Sequence, residues 1–505
     1  MLAKVLSAAT IGIDALLIKV EVDVASKGFP AFNIVGLPDK SVDEAKERVR
    51  AAIVNAGYDM PDTRITVNLA PADIPKVGSS FDLPIAVGIL AASGVIGREM
   101  LTDSLFVGEL SLEGTVRDVL GIVSIAVLAR DKNVKRLFVP ASSSPETSLV
   151  DEVQVFPLPT LVDLILFANG SKIIAPFEKK PIHEKTYNAK QFFFEEVRGQ
   201  ETAKRGLEVA AAGFHNIHLK GPPGTGKTFL SRAFPSILPP LEKQEILEVT
   251  KIYSAAGLLK GQSFVFNRPF RSPHHTTSKI GLIGGGSIPQ PGEISLAHRG
   301  VLFLDEFPEF SRSTLEALRQ PLEDGEVLIS RARSNLIFPC RFVLLAASNP
   351  CPCGYLGHPK KACHCLPGAV LKYRKKLSGP LLDRIDINID VAPVEESKLA
   401  DDRLGEPSRT IGARVESAFE KQKMRLKKAG ILTNSQMTPA DIKNYCHMTL
   451  EAGNLLKTAI SRLSLSARSY FKTIKVAQTI SDLGKNDRIE TSHIAEALQY
   501  RASDY

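Results

Sequence analysis

A glycine-rich segment near the middle of the chain most constrains what it can fold into. It follows residues 216–220, which have the pattern of a short buried strand, and it precedes an apolar helical turn that Pro235 ends. The segment fits G-x-x-x-x-G-K-[ST], in which glycines let backbone N–H groups point at phosphate oxygens and the next helix N-terminus favours negative charge. We therefore expect a nucleoside triphosphate site in which Lys227 reaches the β- and γ-phosphates and the Thr228 hydroxyl holds Mg²⁺. The segment consists of Gly221, Pro222, Pro223, Gly224, Thr225, Gly226, Lys227 and Thr228.

An acidic pair that could complete this site follows a second apolar run. Residues 301–304 are apolar without interruption, as in a strand that is covered on both faces, and Asp305 and Glu306 come directly after them. In such a site Asp305 holds Mg²⁺ through water, and Glu306 is the general base toward the attacking water. The alternative is a strand that ends in two solvated acids.

The composition fits a soluble protein with several domains. A chain of 505 residues is too long for a single core, so about three domains are expected. Apolar residues make up 44% and charged residues 23%, and no apolar run is long enough to span a bilayer. The first residues look superficially like a short signal, but charges from Asp14 onward interrupt them, which predicts a cytoplasmic protein without a membrane partner. The net charge of +8 permits a nucleic-acid partner without requiring one.

Four of the six cysteines cluster in one short segment. In a cytoplasmic protein such clustering indicates metal rather than disulfides, and four thiolates can enclose one structural Zn²⁺. The C-x-C spacing at both ends is less common than C-x-x-C, so reduced cysteines without metal are the alternative. His358 and His364 are alternative ligands. The candidate zinc ligands are Cys351, Cys353, Cys363 and Cys365.

Residues 1–170 have the pattern of a compact α/β domain without a phosphate loop of its own. Strands are expected at 18–24 and 65–69, and helices at 41–55 and 83–92. Ser41, with a glutamate three positions later, predicts a capping box at the start of the first helix.

Two segments of this domain, 75–83 and 107–116, resemble the proteolytic domain of Lon-type proteases. In that family a serine in the glycine loop and a lysine after the G-E-[LV]-x-L-x-G segment form a catalytic dyad. Ser80 falls near the serine position, but Val123 stands where the lysine would fall. Because a serine needs a neighbouring base to become nucleophilic, the resemblance implies a Lon-like fold without peptidase chemistry, in which Ser80 is structural.

A polar segment with two prolines at 171–190 predicts a linker. The residues after it, 194–200, resemble the segment that precedes the phosphate loop in AAA+ ATPases. The buried strand expected at 342–348 ends in a polar residue, Asn349, which matches the AAA+ sensor 1 position. The resemblance implies that Asn349 orients the attacking water or the γ-phosphate.

Two arginines also match AAA+ positions. Arg384, in Leu-Leu-Asp-Arg-Ile-Asp, matches the arginine by which the helix-insert branch reaches the γ-phosphate of a neighbouring subunit. An ion pair with Asp383 or Asp386 is the alternative. The chain is expected to be helical from about 405 onward, and Arg468 there matches the sensor 2 arginine of the AAA+ lid, which contacts nucleotide in its own subunit.

An unusual insertion lies between the phosphate loop and the acidic pair. It contains two adjacent histidines without metal-ligand spacing, because neighbouring strand residues point to opposite faces, and a run of glycines. In ring-shaped ATPases such loops often face the central channel, where basic side chains could contact a phosphate backbone. A loop that packs on the neighbouring subunit is the alternative. The candidate DNA contacts are Arg271, His274, His275 and Lys279.

Taken along its whole length, the chain resembles the YifB/ComM family of bacterial magnesium-chelatase-like ATPases. The resemblance implies an α/β fold with a Lon-like (ribosomal S5-like) domain at 1–170, a P-loop AAA+ module at 191–400 and a helical lid at 401–505. It also implies a homo-hexamer that uses ATP and Mg²⁺ on single-stranded or branched DNA. The implied activity is branch migration in homologous recombination and natural transformation, with recombination proteins as further partners. The alternatives are a chelatase-type motor subunit that drives a partner enzyme, and an ATP-binding scaffold without motor activity.

Overall fold

A computed structural model of the chain describes residues 1–74, 76–178, 192–259, 262–286, 289–331, 334–394, 404–463 and 465–501. The chain divides into two compact units. The first comprises Met1–Glu184 and Glu242–Phe266, and the second comprises Lys185–Leu241 and Asn267–Tyr505. Of the linker expected at 171–190, residues 179–190 lie outside the described part of the chain.

A seven-stranded mixed sheet forms the centre of the first unit. Among the described residues, the N-terminal part of this unit contains nine strands, seven of them in the sheet. They are β1 (Leu2–Ile11), β2 (Asp14–Val24), β3 (Ala31–Val35), β4 (Arg64–Ala70), β5 (Ser104–Phe106), β6 (Glu109–Leu110), β7 (Val116–Arg117), β8 (Arg136–Pro140) and β9 (Gln154–Leu158). The helices there are α1 (Lys40–Asp43), α2 (Ala45–Asn55), α3 (Asp82–Ala92), α4 (Ile122–Asp131) and α5 (Leu161–Ala168). The sheet order is β3-β4-β2-β1-β5-β8-β9, and β6 pairs with β7 in a separate ribbon.

Alternating apolar residues of the central strands face the core of this unit. Ile18, Val20 and Val22 of β2 are fully buried, which confirms the strand expected at 18–24. The helix expected at 83–92 is present as α3, and every one of its residues is buried. Apart from Asp82 at its start, α3 is apolar on all sides, which is typical of a helix in the core.

The helix expected at 41–55 is divided at Glu44, which separates α1 from α2. The chain enters the first of these helices at Asp39, whose Oδ1 accepts the N–H of Val42 at 2.8 Å. The expected capping box on Ser41 is therefore wrong. A carboxylate two positions earlier already supplies the acceptor that the first free N–H groups of the helix need.

A five-stranded parallel sheet forms the centre of the second unit. The helices from Glu201 to the end of the sheet region are α6 (Glu201–Gly213), α7 (Lys227–Ala233), α8 (Lys243–Ala255), α9 (Lys279–Ile283), α10 (Glu293–Leu296), α11 (Arg312–Glu316), α12 (Pro321–Asp324), α13 (Pro367–Arg374) and α14 (Gly379–Leu382). The strands are β10 (Ile217–Lys220), β11 (Phe270–Arg271), β12 (Gly284–Gly285), β13 (Gln290–Pro291), β14 (Val301–Leu304), β15 (Glu326–Arg331), β16 (Ser334–Pro339), β17 (Val343–Ser348) and β18 (Ile387–Asp390).

The order of the parallel strands, β11-β14-β17-β10-β18, decides which loops meet. Strands β14 and β17 are buried along their whole length, as the apolar runs at 301–304 and 343–347 predict. Because the strands are parallel, the residues that follow β10, β14 and β17 share the carboxyl edge of the sheet. The residues that precede β10 and β18 share the opposite, amino edge.

The C-terminal region of the second unit is helical, as expected. Its helices are α15 (Ser408–Leu426), α16 (Pro439–Tyr445), α17 (Leu450–Leu463), α18 (Ala467–Leu483) and α19 (Thr491–Gln499). One hydrophobic core joins them to the parallel sheet, with Val415 of α15 and Ala477 of α18 among its fully buried members. Among the described residues, no helix combines the length and apolar character that crossing a bilayer requires.

Helix α8 belongs to the first unit, although its sequence lies between elements of the second. It packs on α4, and Lys251 Nζ lies 2.8 Å from Asp14 Oδ1. Ser254 Oγ donates to Glu146 Oε2 at 3.0 Å, and burial raises the pKa of the Glu146 carboxyl to about 7. Nothing in the sequence of α8 predicts that this helix packs in the first unit.

Candidate nucleotide site

The phosphate loop joins β10 to α7 at the carboxyl edge of the parallel sheet. Gly224 and Gly226 have φ of +80° and +85°, in the left-handed region that glycine adopts without steric cost. A Cβ on Gly221 would lie 2.3 Å from the backbone oxygen of Val391, so the loop also requires a glycine where it leaves the strand. These conformations turn the loop over the start of α7.

Lys227, the first residue of α7, is buried beneath this loop. Its Nζ donates to the backbone oxygens of Gly221 at 2.7 Å and Pro222 at 2.8 Å, and it lies 3.3 Å from Oδ1 of Asn349. Burial lowers the pKa of the Lys227 amine to about 8, against a smaller opposing effect of Asp305. The ammonium group is thus held in the loop by neutral oxygens, which the oxygens of a bound phosphate could replace.

Thr228 and Asp305 come together beside Lys227, as expected from the sequence. The Thr228 hydroxyl donates to Asp305 Oδ2 at 2.8 Å, and Asp305 Oδ1 accepts the N–H of Glu306 at 2.9 Å. A hydroxyl and a carboxylate are oxygen ligands of the type that Mg²⁺ prefers. These two side chains therefore fit the metal of a nucleotide site.

Glu306 has φ of +49°, which is unusual for a residue other than glycine and costs about 1 kcal/mol. Its side chain is 55% exposed, and its Oε2 lies 3.2 Å from Nδ1 of His275. The sequence assigned His275 to DNA, and no local pattern predicted its contact with the candidate base. Asn349 follows β17 as expected, and its contact with Lys227 completes the group of polar side chains at this edge.

The four candidate DNA contacts occupy different environments. Arg271, in β11, makes two hydrogen bonds to Glu293, at 2.6 and 2.8 Å. His274 is exposed, its Nδ1 lies 2.9 Å from Thr276 Oγ1, and its ring centroid lies 4.1 Å from that of His275. Lys279, at the start of α9, is also exposed. Their contact with DNA stays a prediction.

Arg384 lies at the amino edge of the sheet, opposite the phosphate loop. Its backbone oxygen accepts from Asn216 Nδ2 at 2.9 Å, and these residues precede β18 and β10. A four-residue strand spans roughly 13 Å, so the sheet separates Arg384 from Lys227. The guanidinium binds Glu323 and not Asp383 or Asp386, the partners weighed in the sequence.

Arg468 binds the same carboxylate as Arg384. Its Nη2 lies 3.3 Å from Glu323 Oε1, while Arg384 binds Oε2. One turn later in α18, Lys472 Nζ donates to the backbone oxygen of Ile385 at 2.6 Å, which fixes the start of this helix at the amino edge. The contact between Arg468 and the nucleotide of its own chain stays a prediction.

The four candidate zinc ligands converge after β17. Their sulfur atoms all lie within 4.8 Å of one another. Cys351 Sγ is 3.4 Å from Cys353 Sγ and 3.7 Å from Cys363 Sγ, and the N–H of Cys353 donates to Cys365 Sγ at 3.4 Å. Among the described residues, the group of converging ligand atoms consists of these four sulfurs and includes neither of the alternative ligands, His358 and His364. The arrangement could hold a metal ion with four thiolates.

The two positions that match the Lon-type dyad are occupied by Ser80 and Val123. Val123 is fully buried in α4 and offers no atom that could accept a proton from Ser80. The backbone oxygen of Ser80 accepts the N–H of Gly108 at 3.2 Å, so this residue links two segments of the fold. The structural role expected for the Ser80 side chain stays a prediction.

The parallel sheet, the phosphate loop with its acidic pair, and the helical C-terminal region define a P-loop module of the AAA+ class. The chain belongs to the magnesium chelatase subunit ChlI family and, within it, to the YifB/ComM group. One family model, described as magnesium chelatase, subunit ChlI, matches residues 193–399. A second, described as subunit ChlI of Mg-chelatase, matches residues 20–143. A third, for the ChlI C-terminal part, matches residues 405–501.

Two relatives match this chain along nearly its whole length, and a third matches about one third of it. Competence protein ComM of Haemophilus influenzae is 42% identical over 508 residues, which cover 99% of this chain and 97% of that protein. YifB of Escherichia coli is 42% identical over 498 residues, which cover 98% and 96%. The magnesium-chelatase 38 kDa subunit of Cereibacter sphaeroides is 25% identical over 178 residues, which cover 32% of this chain and 53% of that protein.

Proposed function

We propose that this chain is an ATP-hydrolysing motor that works on DNA as a homo-hexameric ring, in the cytoplasm, and drives branch migration in homologous recombination and natural transformation. The observation that carries the proposal is the separation of two cationic groups. Lys227 follows β10 at the carboxyl edge of the sheet, whereas Arg384 precedes β18 at the amino edge. One chain supplies both halves of a hydrolysis site but cannot join them, which favours a site shared between neighbours.

In the proposed mechanism Lys227 leaves its loop carbonyls and binds the phosphates of ATP. Glu306 accepts the proton of the attacking water, which Asn349 orients. Thr228 and Asp305 would hold Mg²⁺, whose charge offsets that of the phosphates.

The arginines complete the proposed site from another direction. Arg384 of the neighbouring subunit stabilises the charge that develops on the γ-phosphate. Arg384 reaches it only after Glu323 releases its guanidinium, and Arg468 contacts a nucleotide only after the same release.

The DNA part of the proposal is supported by the full-length likeness to a competence protein and by the net charge of +8. Within the insertion, His274 and Lys279 are exposed and could contact a phosphate backbone. The test compares ATP hydrolysis with and without branched DNA and follows strand exchange on a four-way junction. Hydrolysis is expected to be stimulated by DNA, and the junction is expected to migrate. A hydrolysis rate that DNA does not change, together with a junction that does not migrate, contradicts the proposed action on DNA.

The shared site has a separate test that uses mixed subunits. Lys227→Ala and Arg384→Ala chains are each expected to be inactive, since every interface lacks one half of the site. Mixing them creates some interfaces with both halves, so ATP hydrolysis should return to a fraction of the wild-type rate. Inactive mixtures, or an active Arg384→Ala chain, contradict a site built by two subunits.

The cysteine cluster is proposed to bind one structural Zn²⁺ per chain, because four thiolates leave no open position for chemistry. Metal analysis of protein purified without chelator is expected to give about one equivalent of zinc. Less than half an equivalent contradicts the assignment.

A chelatase-type motor subunit is the second candidate function, favoured by the family models and by the partial likeness to the magnesium-chelatase 38 kDa subunit. In that case hydrolysis should respond to a partner enzyme and not to DNA. The ATP-binding scaffold is a third candidate, and a Glu306→Gln chain that retains function in cells would favour it.

A further inference from the structure

The cysteine cluster lies directly against the nucleotide site. Cys351, its buried first member, follows Asn349 by two residues. Asn349 in turn lies 3.3 Å from the amine of Lys227. A metal ion bound to Cys351 would therefore fix the same turn that presents Asn349 to the phosphate loop.

A second contact joins the cluster to the loop itself. Gly354, with φ of +85°, packs so closely on Pro223 that a Cβ would lie 2.6 Å from both Cδ and Cγ of the proline ring. Pro223 is the third residue of the phosphate loop and adjoins Pro222, whose oxygen holds Lys227. The cluster thus supports the loop at the side of the nucleotide's phosphates.

The segment that makes these contacts is a loop without regular secondary structure. Residues 349–366, between β17 and α13, contain no helix or strand. Cys353, Cys363 and Cys365 are only partly buried. A loop of this length without regular structure keeps one conformation when a cross-link such as a bound metal ties it together.

We propose that a metal ion held by the four cysteines keeps the phosphate loop in its nucleotide-binding conformation, so that nucleotide affinity depends on metal occupancy. This inference rests on the nucleotide site and the metal of the proposed function, and it is independent of the DNA motor. If the loop without metal is competent for about one tenth of the time, the apparent affinity for nucleotide falls about tenfold.

The test measures binding of a fluorescent ADP analogue to the full chain, with zinc determined in the same samples. A Cys353→Ser/Cys365→Ser chain is expected to lose zinc and to bind the analogue about tenfold more weakly. Wild-type protein stripped with a chelator should behave alike, and added Zn²⁺ should restore its affinity. Unchanged affinity in metal-free protein that melts as a folded chain overturns the proposal.

Variants at two glycines test the packing contact independently of metal binding. They also provide a test if the cysteine variant fails to fold. Gly354→Ala keeps all four thiols but forces a methyl group onto Pro223, so weaker binding with full zinc content is expected. Gly357→Ala is the matched control, because Gly357 also has a positive φ, of +77°, but a Cβ there meets nothing within 4 Å. Equal affinities of these two variants overturn the proposal. Loss of DNA stimulation alone, with affinity still tied to zinc, contradicts the motor and leaves this inference standing.

Discussion

His275 Nδ1 lies 3.2 Å from Oε2 of Glu306, and this contact ties the insertion to the candidate general base. His275→Ala is expected to lower kcat for ATP about tenfold with KM little changed, because an exposed glutamate without a partner samples many rotamers. His275→Gln, which can still donate to the carboxylate, should retain more activity. Steady-state hydrolysis without DNA measures both values.

Ser272→Ala provides a control for that experiment, since Ser272 is an exposed residue of the same loop. Its kcat should match the wild type. A His275→Ala chain with undiminished kcat contradicts a positioning role for the imidazole.

Glu323 is expected to restrain Arg384 and Arg468 in the arrangement that the structure describes. Glu323→Gln removes the charge that holds Arg384 and Arg468. The Glu323 side chain is 52% exposed, and ion pairs with a solvated carboxylate contribute up to about 1 kcal/mol each. We expect kcat/KM for ATP to rise about threefold with a nearly unchanged Tm, because 1.4 kcal/mol corresponds to about tenfold. Glu316→Gln, which breaks the neighbouring pair with Arg319, should leave kcat/KM unaltered. A fall in kcat/KM for Glu323→Gln contradicts the restraint.

Nucleotide affinity should weaken as the pH rises through about 8, the lowered pKa of the Lys227 amine, because the neutral amine no longer attracts phosphate. A pH series of ADP-analogue binding measures this loss. Lys227→Arg, which stays charged, should give a flatter profile even if it binds more weakly. Profiles of the same shape contradict the assignment of the titration to Lys227.

The same pKa has the opposite effect on stability. The unfolded chain binds more protons at this lysine than the folded chain between about pH 8 and the ordinary value of 10.5. The contribution of Lys227 to the free energy of unfolding therefore increases as the pH rises through that window. The pH dependence of Tm, compared with Lys227→Arg, should show this difference.

A buried ion pair holds the C-terminal helices together. Both oxygens of Asp482, whose side chain is fully buried, lie 2.7 Å from the guanidinium of Arg425. Arg425→Met leaves this carboxylate buried without its cation, which costs about 3–5 kcal/mol and should lower Tm by about 5 °C or more. Asp487→Asn is the control: it weakens the exposed pair with Lys421 and should change Tm little. Equal Tm values for the two variants would contradict the larger contribution expected of the buried ion pair.

Short-range patterns predicted much of the fold and of the candidate site. The phosphate loop could be predicted because its glycines encode backbone conformations that few other residues adopt. Asp305 and Asn349 could be predicted because each follows a strand that is apolar along most or all of its length, and parallel strands end at one edge. The predicted cap of the first helix was wrong because Asp39 and Ser41, two possible acceptors, lie within three positions of each other. The sequence does not show which of them accepts the first free N–H group. The domain boundaries at 170, 191 and 401 stay predictions.

The sequence by itself determined the local elements: the strand, glycine turn and helix of the nucleotide site, the acidic pair, and the four clustered thiols. Only the tertiary structure decided which distant groups meet. His275 with Glu306, Gly354 with Pro223, and Glu323 with Arg384 and Arg468 are contacts between segments far apart in the chain. The reason is physical: local patterns record backbone preference and burial, whereas a long-range contact depends on the packing of every element that lies between its two partners.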